Sequence, residues 1–257
     1  MDNKIYIAAH KPVELPHDDI LTPIFVGALD KEDITLGGHT FLRDDSGEHI
    51  SDKNPKYCEL TALYWAWKNA KSDSVGLMHY RRFFDSENLQ QLAQEVAASE
   101  GKKIIVPKKR KYYIESLYGH YGHTFDSAHL DLALELVNKT YPKLTSYLEA
   151  AYKSTFGYMF NMFILPWNLY DDYCNFLFPL MAKMEEQIDE SKLDAFNLRL
   201  YGRVSEILFT AWVFMLKDEG ITIKEVPVKD LEPVNWPKKI AGFLAAKFVG
   251  KKYSKSW

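Results

Sequence analysis

The stretch Asp44–Phe84, DDSGEHISDKNPKYCELTALYWAWKNAKSDSVGLMHYRRFF, packs a loop, a helix and a strand into forty-one residues. Asp44 to Asn54 is polar and rich in turn formers, and Pro55 opens a helix at the position where its fixed φ and missing N–H do no harm. Leu60, Leu63, Tyr64 and Trp67 recur at i, i+3, i+4 and i+7. That spacing predicts a helix from Pro55 to about Asn69, apolar on one face, with Cys58, Thr61 and Trp65 on the freer side. Ser74–Met78 is then a short apolar strand, and His79-Tyr80-Arg81-Arg82 stands at its C-terminal end. In open α/β sheets ligands bind at that end of the strands. Two adjacent guanidinium groups there match phosphate oxygens in bidentate fashion. On an arbitrary surface the same pair would lie in water beside an Asp or Glu; the apolar strand in front of it favours the first reading.

Outward from this block, strand and helix patterns alternate, the mark of an α/β sheet. Lys4–Ala9 and Ile24–Ala28 read as strands, Leu89–Ser99 as a helix, Lys103–Pro107 as a strand and the basic run Lys108–Lys111 as a loop. Gly119 and Gly122 make Tyr118–Thr124 a loop, Asp126 caps a helix to about Asn138, and Tyr141-Pro142 starts another. Phe160–Leu165 is a buried strand, Trp167–Met184 an apolar helix, Leu200–Leu216 a further helix and Ile221–Val226 a last strand.

With 257 residues, 47% of them hydrophobic, the chain can bury a sizeable core as one large domain or as one domain with a small appendage. A net charge of −3 from mixed charges argues against nucleic acid as the main partner, for which a basic stripe would be expected. Cys58 and Cys174 lie in apolar patterns and read as reduced core thiols. A cytoplasmic setting is expected, with no signal peptide before the first strand and no apolar run long enough to span a bilayer.

The order DDSGEHIS-KN-YCELT-YW-WKN followed by GL-HYRR resembles the bacterial capsular and exopolysaccharide biosynthesis glycosyltransferases, a family long described only as a domain of unknown function, with galactofuranosyltransferase members. Matching segments at Lys4–Pro12, Asn161–Leu165, Tyr173–Phe178 and Gly202–Leu208 extend the likeness over nearly the whole chain. His49 departs from it, standing where the family pattern has Asn. The resemblance implies an α/β fold: a single GT-A-like α/β/α sandwich with a mixed central sheet and a C-terminal amphipathic helical tail. The expected division is a domain over 1–235, with its nucleotide-sugar half at 1–110 and its acceptor half at 111–235, and a basic tail at 236–257.

Glycosyl transfer from a nucleoside diphosphate needs neutralisation of the leaving diphosphate, a carboxylate to deprotonate the acceptor if the reaction inverts, and walls that align the two substrates. In the usual GT-A enzyme an Asp-x-Asp holds a divalent cation where His79-Tyr80-Arg81-Arg82 stands here. Two readings stay open. Either Arg81 or Arg82 with Lys53 neutralises the phosphates without metal, or His79 and a carboxylate elsewhere hold Mg or Mn. Donor-binding candidates are His10 and Lys11, leaving the first strand, then Asp44, Asp45, Ser51, Lys53, Asn54 and Tyr57 in the loop and helix start, and His79, Tyr80, Arg81 and Arg82.

Glu206 is the first choice of catalytic base, because an unpaired carboxylate in an apolar helix is costly and needs a reason. A salt bridge to Arg203 or Arg199 is the competing explanation, and Asp194 and Glu115 are reserves. His120, His123, Asp126 and His129 repeat at a spacing of three, which drifts roughly 60° per step around a helix and so suits one ion poorly. In a loop, His120 and His123 suit sugar contact, as does Asn161; a plain surface loop is the alternative.

Trp236–Trp257 carries six lysines and no acidic residue, with apolar side chains interleaved. It reads either as a helix lying on an anionic membrane surface or as a terminal helix docked on the domain. The expected partners are therefore a UDP-sugar donor and a lipid-linked saccharide acceptor, met by a peripheral enzyme at the inner face of the cell membrane. A nucleotide-sugar or carbohydrate-binding protein without catalysis is the alternative. A phosphotransferase would want a P-loop, a kinase-type glycine loop or an acidic metal cluster, none of which the sequence has.

Overall fold

A computed structural model describes residues 2–231 of the chain, apart from 15, 17, 37 and 38. The tail expected at Trp236–Trp257 lies outside the described residues. The chain opens with β1 (Asn3–Ala9) and β2 (Leu21–Phe25), a small hairpin of β3 (Thr35–Leu36) and β4 (His39–Thr40), and β5 (Leu42–Arg43). Helices α1 (Asn54–Tyr57) and α2 (Leu60–Asn69) lead to β6 (Ser74–His79), β7 (Arg82–Phe84), α3 (Leu89–Ala97), β8 (Lys103–Pro107) and β9 (Arg110–Lys111). Then come α4 (Leu117–Gly122), α5 (Ala128–Thr140), α6 (Thr145–Lys153), β10 (Phe156–Gly157), β11 (Phe163–Pro166) and α7 (Trp167–Gln187). The last elements are α8 (Leu200–Asp218), β12 (Thr222–Val226) and β13 (Val228–Asp230).

The strands of the main sheet run in the order β12-β8-β11-β6-β1-β2-β5, with β7 and β13 paired beside β6. Along that row only β11 is antiparallel to its neighbours, so the sheet is mixed as expected. Because side chains alternate across a strand, Ile5, Ile7, Met78 and Ile164 share one face with Leu89, Leu92 and Val96 of α3. Tyr6, Ala8, Leu77 and Phe163 point the other way, into the larger core built with α2, α7 and α8. The result is an α/β/α sandwich in which strands from both expected halves of the chain share one sheet.

Several elements differ from the sequence reading, each for a local reason. The helix expected from Pro55 breaks at Cys58, whose φ of 53° and ψ of −130° match the first central residue of a type II′ turn. Asn54 Nδ2 and Thr61 Oγ1 both donate to the Cys58 carbonyl and hold the break. Neither face of α2 is free: Thr61 is fully buried, Trp65 Nε1 donates to Ser46 O at 2.9 Å, and Tyr64 and Trp67 pack on Phe178 of α7. Tyr118–Thr124 is largely helical, since Ser116 caps α4 by accepting from Gly119 N at 3.1 Å. The basic run is partly a strand, β9 pairing with β10. Strand β11 begins at Phe163, because Phe160 and Asn161 have φ of 78° and 50° and cannot extend it.

Asp44, expected to contact a donor, is instead spent inside the fold. It is wholly buried and accepts from Gly27 N at 2.8 Å, Ala28 N at 3.0 Å and Ser51 Oγ at 2.5 Å. Ser51 in turn accepts from Leu29 N. The pair pins the turn after β2, where Gly27 has φ of 65° and a Cβ would fall 2.7 Å from Asn54 Oδ1. Asp44→Ala leaves two buried N–H groups without a partner and should cost about 3 kcal/mol, read as a lowered denaturant midpoint at constant slope. In central strand β6, a Cβ on Gly76 would meet Ile5 Cγ1 at 2.9 Å and Ile164 Cγ1 at 3.3 Å. Gly76→Ala should therefore destabilise by about 1–3 kcal/mol through overpacking; a variant as stable as the parent would show that this layer gives way at no cost.

Candidate active site

A cleft of about 1010 Å³ opens where β1, β2 and β6 end, the expected position for a ligand in such a sheet. One wall is His10 after β1, Val26 after β2 and His79, Tyr80, Arg81 and Arg82 at the end of β6. The facing wall comes from the start of α8, with Arg199, Gly202, Arg203, Glu206 and Ile207, and from Arg110, Lys111 and Tyr112 around β9. Six arginines and lysines thus face two carboxylates, Glu59 and Glu206, which makes the cleft strongly cationic. His10 reports this field: burial first, then Lys11, Arg81 and Arg199, hold its imidazole below the usual range.

The two arginines of the HYRR segment are not equivalent. Arg82 donates from Nε to Asp230 Oδ1 at 3.0 Å and lies 4.4 Å over the Phe160 ring. Burial and the neighbouring Arg81 pull its guanidinium below its ordinary pKa. Arg81 has no ion-pair partner among the described residues and rests beside the Tyr80 ring, which also receives His10 edge-on and the Lys11 ammonium at 5.0 Å. His79 points inward, its Nε2–H donating to the Phe160 carbonyl at 2.5 Å. The nitrogen is therefore engaged, and no group of three His, Cys, Asp or Glu side chains among the described residues is placed to hold an ion. Among the described residues, then, none supplies a preformed set of three ligands for Mg or Mn.

Phe160 and Asn161 join the carboxylates to the rest of the cleft. Phe160 N donates to Glu206 Oε1 at 2.9 Å, while Arg203 Nη1 approaches Glu206 Oε2 at 3.7 Å. Asn161, buried, donates from Nδ2 to Glu59 Oε1 at 2.6 Å and to Gly202 O at 3.1 Å, and its Oδ1 accepts from Ser205 Oγ. Non-glycine residues with positive φ cost about 1–3 kcal/mol each and persist where the surroundings over-determine them. Two in succession, held from β6, α2 and α8, make this turn a built feature of the cleft.

Of the remaining sequence candidates, only Asn54 and His120 line the cleft. Asp45 is paired with Arg43, which keeps its carboxyl low. Lys53 and Tyr57 both contact Glu185, and Tyr57 stacks on Tyr201, so they fasten α1 to α7 and α8. Asn54 does line the cleft, but its amide holds the turn at Cys58. Asp194 is exposed and accepts from Phe196 N and Asn197 N, capping the turn before α8. Glu115 is buried, touching His120 Nδ1 at 3.2 Å and His123 Nδ1 at 2.5 Å, while His129 bonds the Tyr121 hydroxyl and Asp126 accepts from Ala128 N. The series therefore does not converge on one point: His120 and His123 share Glu115, while Asp126 and His129 face other partners. Of the candidate sugar contacts His120, on α4, and His123, its C-cap, His120 lines the cleft, tilted over Tyr112 at 4.2 Å.

Sequence reasoning missed Glu59, Arg110, Lys111, Arg199 and the cleft-facing position of Arg203. A charge abutting a strand end was readable for Arg81; these others arrive by tertiary packing. Beyond the cationic part, the cleft turns apolar at Ile114, Leu117, Phe125 and Phe196, and its lip carries Tyr113, 80% exposed, and Ile114, 57% exposed.

Burial drives the His120 pKa from 6.5 down to about 4, against the pull of Glu115. Its folded value lies below its unfolded one, so the unfolded chain takes the proton first. Stability is lost as pH falls from 6.5 toward 4, by on the order of 2 kcal/mol from this group. His120→Gln should flatten that part of the stability profile in acid titrations followed by denaturant; an unchanged profile would show that His120 protonates as readily when folded.

The family described as Domain of unknown function (DUF4422) matches residues 4–217. No curated protein matches the chain. Among solved structures, the WbbM bifunctional glycosyltransferase in its apo form is similar with a TM-score of 0.79 and 28% sequence identity, covering 91% of this chain. The match spans 46% of that protein, so this chain corresponds to about half of it. The sandwich is thereby GT-A-like, as the sequence implied. By a match over most of its length, the chain belongs to the DUF4422 family.

Proposed function

We propose that the protein is a UDP-sugar-dependent glycosyltransferase. It moves a sugar, galactofuranose being the first candidate, to a lipid-linked or polysaccharide acceptor in capsule, exopolysaccharide or O-antigen synthesis, with inversion. The observation that carries this reading is Arg81 at the end of β6, without a carboxylate partner among the described residues, in a cleft where cations outnumber carboxylates. A departing nucleoside diphosphate bears the complementary charge, and fixed donors aimed at it act without reorganisation. Similarity to a bifunctional glycosyltransferase supports the same chemistry.

Within this scheme Arg81 meets the diphosphate, with His10 and Arg199 close enough to share its field. Arg82 works through Phe160 and Asp230, and the lip at Tyr113–Ile114 with the apolar end of the cleft suits an acceptor carried on lipid. The enzyme then works peripherally at the inner face of the membrane, the basic segment Trp236–Trp257 being its proposed contact with anionic lipid. No helix of the described residues is long and apolar enough to cross a membrane.

Arg81→Met should weaken UDP binding by about 10- to 100-fold, as expected for loss of a charge-assisted contact, with a reduced salt dependence in calorimetry. Arg82→Met should lower thermal stability more than affinity, since its guanidinium is already spent on Asp230 and Phe160. An Arg81 variant that binds UDP like the parent removes the diphosphate contact from the proposal.

A further inference from the structure

The choice of base turns on what the two cleft carboxylates already hold. Glu206 accepts from Phe160 N through one oxygen and faces Arg203 at 3.7 Å through the other. It is only 4% exposed, and the strained turn at Phe160 leans on it. Glu59 lines the same cleft and is only partly buried. One of its oxygens receives the Asn161 amide at 2.6 Å; the other makes no hydrogen bond or ion pair among the described residues. A base needs this combination, one oxygen fixed so that the carboxylate cannot turn and one open toward the acceptor.

The backbone around Glu59 serves that placement. Cys58, with φ of 53°, breaks the helix, so Glu59 sits at the N-cap of α2 instead of continuing α1. Arg199 Nε donates to Cys58 Sγ at 3.3 Å and ties this corner to the cationic wall. On the far side, Asn161 is itself fixed by Gly202 O and Ser205 Oγ, at a positive φ that asparagine tolerates better than most residues.

The geometry points to Glu59 as the catalytic base of the proposed transfer and to Asn161 as its positioning residue, with Glu206 a brace of the cleft. The inference rests on the glycosyltransferase reading. In the step, the acceptor hydroxyl gives its proton to the open oxygen of Glu59 as its oxygen bonds to the anomeric carbon. The bond from that carbon to the diphosphate oxygen breaks, and its electron pair leaves with UDP beside Arg81. Water can replace the acceptor, giving slow donor hydrolysis through the same base.

The test measures UDP release from UDP-galactofuranose by the parent, Glu59→Gln, Glu206→Gln, Arg81→Met and Asn161→Asp, with UDP affinity and thermal stability recorded for each. Glu59→Gln keeps an acceptor for the Asn161 amide, so its fold and UDP affinity should stay at parental values while kcat falls about 10²- to 10⁴-fold. Glu206→Gln should lose stability and change turnover less. Asn161→Asp replaces a donor with a carboxylate beside Glu59, which should move the acid limb of the kcat/KM profile to higher pH, a change that a merely structural residue would not produce. Turnover of Glu59→Gln within threefold of the parent, while Arg81→Met is impaired, overturns the assignment of Glu59 and leaves the glycosyltransferase reading standing. An acid limb that stays in place in an active Asn161→Asp enzyme overturns the positioning role. Absence of UDP release from the parent with this donor and with UDP-galactopyranose and UDP-glucose, despite UDP binding, overturns the transferase reading and the base with it.

Discussion

The turn at Phe160–Asn161 is the constraint on which the cleft depends. Two consecutive residues with positive φ are held by His79 from the central strand, Glu59 from the start of α2 and Gly202, Ser205 and Glu206 from α8. The partners come from three elements, β6, the start of α2 and α8, so the turn records the relative placement of sheet and helices to within a hydrogen-bond length. The Phe160 ring adds a fourth tie, with the guanidinium groups of Arg82 and Arg110 at 4.4 and 5.9 Å. Strain of this kind survives only when its surroundings leave no alternative, and here most of those surroundings, Glu59, His79, Arg82, Arg110, Gly202 and Glu206, line the cleft.

Charge is distributed around that turn in two ways. Some cations are neutralised within the fold: Arg43 by Asp33 and Asp45, Lys53 and Lys56 by Glu185 and Glu190. Those at the strand ends are not matched one for one, and the surplus is concentrated in a concave, partly desolvated region where electrostatic interactions are stronger than at an open surface. The donor chemistry proposed for the site therefore uses a property of the whole wall, with Arg81 at its centre.

How much of this could be read from sequence follows from range. The strand Ser74–His79 and the arginines after it were legible because a short apolar run ending in fixed charge is a local pattern. The role of Asp44 was not, since it depends on Gly27 and Ala28, seventeen and sixteen residues away, turning back to meet it. Glycine misled at Tyr118–Thr124, where the Ser116 cap outweighed two poor helix formers. Glu59 was visible only as an acid wedged between Cys58 and an apolar helix. Its proximity to Asn161, 102 positions later, needed the folded chain. Phe160 carries no turn signature and a lone Asn161 only a weak one, and apolar neighbours made the pair read as strand.

The placement of β11 has a consequence for how the protein is made. It is the antiparallel strand in the middle of the row, between β8 and β6, yet it is synthesised more than fifty residues after β8. Until it emerges, the nascent chain holds the group β6-β1-β2-β5 and the lone strand β8, whose other neighbour β12 is made later still, and the facing edges of β6 and β8 lack their final partner. Such edges invite pairing between chains. The two parts of the sheet cannot mature as independent units on the ribosome, and closure waits for a four-residue strand whose immediate predecessors are the strained Phe160 and Asn161. The same short segment thus joins β8 to the rest of the sheet, and β12 completes the row only afterwards.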